Sequence, residues 1–97
     1  MGEPRRLRPA DVEAAASWYL GVDVRHKIGR RSSRRVAEAK RIYWASLRAI
    51  GLSWFEVAAE TGVDYSTVSR SIRERPVPEC YVEGVLERAR SQIEMTP

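Results

Sequence analysis

Apolar residues return at intervals of three and four positions along most of this 97-residue sequence, and nowhere do they alternate over a useful length. A repeat near 3.6 gathers such residues on one face of a helix, whereas a half-buried strand needs a repeat of two. The expected fold class is therefore all-α, a small helical domain. Length sets the scale, since a chain of this size buries roughly 60 to 65% of the surface its unfolded form exposes, which is enough for one core and not for two. Charged residues make up 31% of the chain and their spacing is regular, which argues against disorder. Cys80 is the single cysteine and cannot close an intrachain disulfide, so the chain suits a reducing compartment and a cytoplasmic location is expected. The opening MGEPRRLRPADVE lacks the apolar run of a signal peptide, and no long uncharged apolar segment follows it, so no membrane partner is expected.

Residues 1–8 carry three arginines and no periodicity and read as a basic flexible arm ahead of a single helical domain at 9–94. Pro9 suits a first helical turn, where its missing N–H costs nothing, and Val12, Ala15, Ala16 and Tyr19 share one face until Gly21, so a helix is expected over 9–20. Val24 and Ile28 allow one short turn before the run RRSSRR, where Ser32 or Ser33 can cap the next helix. Val36, Ala39, Tyr43, Leu47 and Ile50 then recur at spacings of three and four, the strongest helical pattern in the chain. Gly51 ends it, and Ser53 with Glu56 forms a capping-box signature at the start of a helix over 54–61. A break at Gly62 and Val63 precedes a run from Tyr65 to Arg75, which Pro76 and Pro78 stop. A last helix over 79–94 follows from Val82, Val85, Leu86, Ala89 and Ile93, although Gly84 inside it costs on the order of 1 kcal/mol relative to Ala.

The stretch 54–75 has the spacing that a helix-turn-helix requires. Ala58 sits where two helices approach closely, Gly62 can take the left-handed conformation that ends the first, and Val57, Val63, Val68 and Ile72 fix the angle between them. In such a unit the second helix enters the major groove and presents its leading residues to base edges, here Asp64, Tyr65, Ser66, Thr67, Ser69, Arg70 and, one turn later, Arg73. Arg70 suits a bidentate guanine contact, and Ser66 and Thr67 can bond a base edge or a phosphate. The plainer alternatives are that Asp64 only caps the helix, that Ser66 and Thr67 are solvated, and that Tyr65 packs in the core. Trp18, Trp44 and Trp54 are expected in the core, with Trp54 and Phe55 able to leave an edge against a sugar-phosphate chain.

Charge is localised. Residues 25–41 hold eight Lys and Arg against Glu38 alone, a net +7 in a chain whose total is +4, so the other 80 residues carry −3. Runs of like charge at a helix start are commonly solvated, but positive residues there oppose the helix dipole and call for a compensating anion. Phosphate is the candidate, with Arg30, Arg31, Arg34, Arg35 and Lys40 as its contacts and Arg41 and Arg48 as further ones. Five or six phosphate contacts correspond to a log K against log salt slope of roughly −4.5 to −5.5.

From Val12 to about Arg75 the chain resembles the C-terminal duplex-binding domain, domain IV, of the bacterial replication initiator DnaA. The resemblance rests on VEAAASWYLGVDVRHKIGRRSSRRVAEAKRIYWASL, GLSWFEVA and DYSTV, and covers about two thirds of the sequence. It implies that the basic loop Arg30, Arg31, Ser32, Ser33, Arg34 and Arg35 reaches into the minor groove and that DYSTV heads the recognition helix, with Asp64, Ser66 and Thr67 at base-contacting positions; Ser53 and Trp54 lie in the matching first helix of the pair. Tyr65 stands where the family ordinarily has His, and Ser32 where an ungapped alignment places an arginine, leaving Arg31 or Arg34 as the minor-groove residue. The turn before Asp64 is one residue shorter than the family's. A different target sequence is expected from these departures.

The initiator's ATPase module has no counterpart here, because no G-x-x-x-x-G-K-[ST] phosphate loop occurs. The chain is expected to be a stand-alone protein reusing the domain, with an excised domain or a transposase-like module as alternatives. His26 and Cys80 are too distant in sequence to suggest a metal site, Cys80 reads as an inert apolar residue at a helix start, and no nucleophile elbow is present, so no enzyme and no cofactor are expected. The expected function is sequence-specific double-stranded DNA binding in a nucleoid-associated regulator of transcription or replication. Two other classes compete with it: an adaptor that docks on a replication or transcription protein, and a binder of RNA or anionic lipid through the basic loop.

Overall fold

The computed structural model describes residues 7–24 and 34–95, and among them are five α-helices and no strand. The fold class is all-α, as the periodicity requires. The first helix, α1 (Pro9–Leu20), begins with Pro9 at a position that needs no donor, and Asp11 accepts the Arg8 backbone N–H at 2.9 Å. Gly21 ends it at φ 67°, donating its N–H to the Ser17 carbonyl. Leu7 packs on the core and Arg8 occupies the N-cap of α1; residues 1–6 of the basic arm lie outside the described residues.

The longest apolar pattern forms α2 (Arg34–Ala49), which touches every other helix. It closes with two bonds, from Gly51 N to Arg48 O at 3.1 Å and from Leu52 N to Leu47 O at 3.3 Å. That pairing is the Schellman arrangement, and Gly51 at φ 110° supplies the backbone conformation for it. One residue later the chain is already capping α3 (Trp54–Thr61): Ser53 Oγ accepts from Glu56 N at 3.1 Å, and Glu56 Oε1 accepts from Ser53 N at 3.0 Å. This is the capping box read from the sequence. The Glu56 carboxyl is held below the usual carboxylate range, foremost by the bond it accepts from the Ser53 backbone N–H and then by the Ser53 hydroxyl.

Gly62 ends α3 at φ 72°, and Asp64 caps α4 (Tyr65–Glu74) by accepting from Ser66 N at 3.0 Å. Pro76 and Pro78 then separate α4 from α5 (Glu79–Met95). Val12, Ala15 and Ala16 of α1, Tyr43, Trp44 and Leu47 of α2, and Val85 and Ala89 of α5 form the bulk of the core, with α1 packed on α5 and α2. Val57 and Val68, fully buried, are the contributions of α3 and α4. The buried Ser46 hydroxyl is satisfied by the Ile42 carbonyl at 2.7 Å.

One expectation about packing needs correction, and two further residues gain a setting that the sequence did not give. Trp18 is 62% exposed rather than in the core. It falls roughly 110° around α1 from the centre of the Val12, Ala15, Ala16 face, and the Arg88 guanidinium of α5 covers its ring at 3.6 Å from the centroid. Cys80 sits at the expected helix start but is exposed. Gly84, which looked only like a weak point in α5, lies directly under the Tyr19 ring: a Cβ there would come within 2.6 Å of Tyr19 Cζ and Oη. The missing side chain leaves room for the end of the Tyr19 ring against α5.

Candidate nucleic-acid interface

Of the ten residues of α4 only Val68 is buried, fixing the helix to the core by one side and leaving most of its circumference outward. Asp64, Ser66, Thr67, Arg70 and Arg73 are exposed and Ser69 is half-buried. The polar residues named from the sequence therefore share the outer side of one short helix, with backbone N–H groups of its first turn beside them. Arg73 is partly committed, since its Nη2 donates to Ser69 Oγ at 3.2 Å. Arg70 is exposed on the same side of the helix.

At the leading end of the pair, Phe55 and Tyr65 stack with ring centroids 4.1 Å apart and planes 7° from parallel. Phe55 is 68% exposed and Tyr65 37%. Tyr65 therefore neither packs in the core nor points freely outward; one of its faces is taken by Phe55, which joins the first turns of α3 and α4. Phe55, expected from the sequence to leave an edge outward at the head of α3, is a surface residue, and its stacking on Tyr65 is what the sequence did not indicate. The signal for its exposure was available, because residue 55 lies off the Val57 and Ala58 face of a helix whose start the capping box fixes. Trp54 and Ser53 are half-buried, and Arg48 lies 5.9 Å from the Trp54 ring while donating to the Leu52 carbonyl at 3.2 Å, bracing the short link between α2 and α3.

The basic cluster divides. Arg30, Arg31, Ser32 and Ser33 lie outside the described residues. Arg34 and Arg35 open α2 and are exposed. Arg35 already has a partner, donating Nη2 to the Leu20 carbonyl at 3.2 Å at the C-terminal end of α1, where a cation is favoured by the dipole. The compensation expected from a phosphate is thus supplied for this residue within the protein. Lys40 is a correction: at 7% exposed it is buried against α2's neighbours and cannot serve as a phosphate contact in this arrangement. Burial pushes its amine below the ordinary lysine range, against the opposing effect of the Asp23 carboxylate. Arg41 is buried as well and pairs with Glu38 at 2.8 Å.

Among the described residues no cluster of His, Cys, Asp and Glu can hold a metal ion, and no helix is long and apolar enough to cross a membrane. Comparison with protein-family models, with curated proteins and with solved structures finds no match to this chain.

Proposed function

We propose that this protein binds double-stranded DNA sequence-specifically, with α4 in the major groove and the basic segment 30–35 in the adjacent minor groove. The observation that carries the reading is the outward placement of Ser66, Thr67 and Arg70 on a capped helix whose one buried residue is Val68. An α-helix fits the major groove, and short polar residues on its first turn with an arginine one turn on are the groups that reach base edges there. The net charge of +4 supports attraction to a polyanion, and the resemblance of residues 12–75 to DnaA domain IV points the same way. Regulation of transcription or replication, and a nucleoid location, follow from such binding. No catalytic role forms part of the proposal.

The test is selection of preferred duplexes from a random pool with the full chain, then affinity at two salt concentrations. A preferred sequence should emerge, and Arg70→Ala should cost roughly 1 to 3 kcal/mol on it while changing random duplexes little. Equal loss on every duplex removes Arg70 from base reading. Absence of any preference would favour the adaptor reading instead.

A further inference from the structure

Phe55 is the second residue of α3 and Tyr65 the first of α4, so the stacked pair stands at the leading end of both helices. The contribution of α3 to the core is Val57, and Phe55 lies outside it on the surface. The two rings together make one exposed apolar surface rather than two scattered ones. Side chains at an exposed helix start have several staggered rotamers open to them. A stacked neighbour favours one of these roughly two- to twelvefold. Phe55 thereby fixes where the Tyr65 ring stands and covers one of its faces, leaving the other face and the ring edge to a partner.

The chemistry of that partner follows from what a duplex displays. Phosphates are alike along every sequence, and an apolar ring face gives them neither a donor nor a charge. Base edges in the major groove present donors and acceptors, and the apolar group among them is the 5-methyl of thymine. Tyr65 adjoins Ser66 and Thr67, both exposed, on a first turn that the Asp64 cap holds in place. A helix whose first turn meets base edges carries this ring to them as well. Contact with a methyl group is available at thymine and missing at the other three bases, so it discriminates where a phosphate contact does not.

We infer that Phe55 is a positioning residue for sequence reading: it holds the Tyr65 ring at the head of α4, where that ring packs on the 5-methyl group of a thymine. This inference rests on the duplex-binding proposal and deepens it by naming a base of the target and a residue on α3 that selects it.

Uracil in place of thymine removes the methyl group and keeps base pairing, the carbonyl acceptors and every phosphate. Each thymine of the preferred duplex is replaced in turn, and the full chain is titrated with both forms. At one position uracil should weaken binding roughly fourfold, the value of burying one methyl-sized group. Phe55→Ala and Tyr65→Ala should each bring that thymine-to-uracil ratio close to one, and the double variant should go no further. Tyr65→Phe and Phe55→Tyr, which keep the stacked rings, should preserve it, as should Arg70→Ala. A purely structural role for Phe55 lowers affinity for both duplexes alike and leaves the ratio unchanged, which overturns the inference. Loss of the ratio in Tyr65→Phe overturns it too, since the hydroxyl and not the ring would then be reading. A preferred duplex in which no thymine responds to uracil overturns it while leaving the duplex-binding proposal standing, and a chain with no preferred duplex overturns both.

Discussion

Lys40 shows at the residue scale how one side chain's surroundings redirect its meaning. Within a run of basic residues it reads as a phosphate contact, yet its amine is buried and favours losing its proton more than an exposed lysine does. The unfolded chain consequently binds more protons than the folded one between the lowered value and the ordinary 10.5. Stability should rise as pH increases through that window, and Lys40→Met should abolish the rise; the difference between the two chains' chemical denaturation midpoints from pH 8 to 10.5 measures it. Residue-level geometry that depends on immediate neighbours was legible in advance. Ser53 with Glu56, Gly62 and Asp64 occupy the capping roles their types and spacing indicate, because a cap involves only three or four consecutive residues. Tyr65 was not legible, since its partner Phe55 is ten positions away on another helix.

At the scale of elements, all five helices follow from apolar spacing and the glycine and proline breaks, and their ends agree with the sequence to within a residue or two. What the pattern misjudged was the price of Gly84. Helix propensity treats it as a defect of on the order of 1 kcal/mol, but the Tyr19 ring occupies the space where a side chain would begin. The two terms are separable. Gly84→Ala should give no net stabilisation in the wild-type chain, since displacing the ring offsets the propensity gain, and should stabilise by about 0.5 to 1 kcal/mol in a Tyr19→Ala background. Thermal or denaturant unfolding of the four chains provides the cycle, and equal effects of Gly84→Ala in both backgrounds would remove Tyr19 from the account.

At the scale of the whole molecule, the interface is smaller in charge than its composition suggests. Withdrawing Lys40 and Arg41, both buried, and Arg35, already bonded to the Leu20 carbonyl, leaves Arg30, Arg31, Arg34 and Arg48, so for three or four contacts the salt slope should be roughly −2.7 to −3.6. Lys40→Met should leave that slope unchanged, whereas Arg34→Ala, at an exposed position, should flatten it by about 0.9; duplex titrations from 50 to about 200 mM salt distinguish them. Among the described residues, the five helices, their limits and the caps at Ser53, Gly62 and Asp64 were already written in the order of residues, because a 3.6-residue repeat and a cap act between positions three or four apart. Which side chains on those helices meet solvent, which basic residues are consumed inside the fold, and which acid ties α2 to α4 were settled by packing. Arg35 is bonded to Leu20, Trp18 is covered by Arg88 and Glu38 is ion-paired with Arg75, each partner at least 15 positions away, and no periodicity along a chain records how distant turns are brought together.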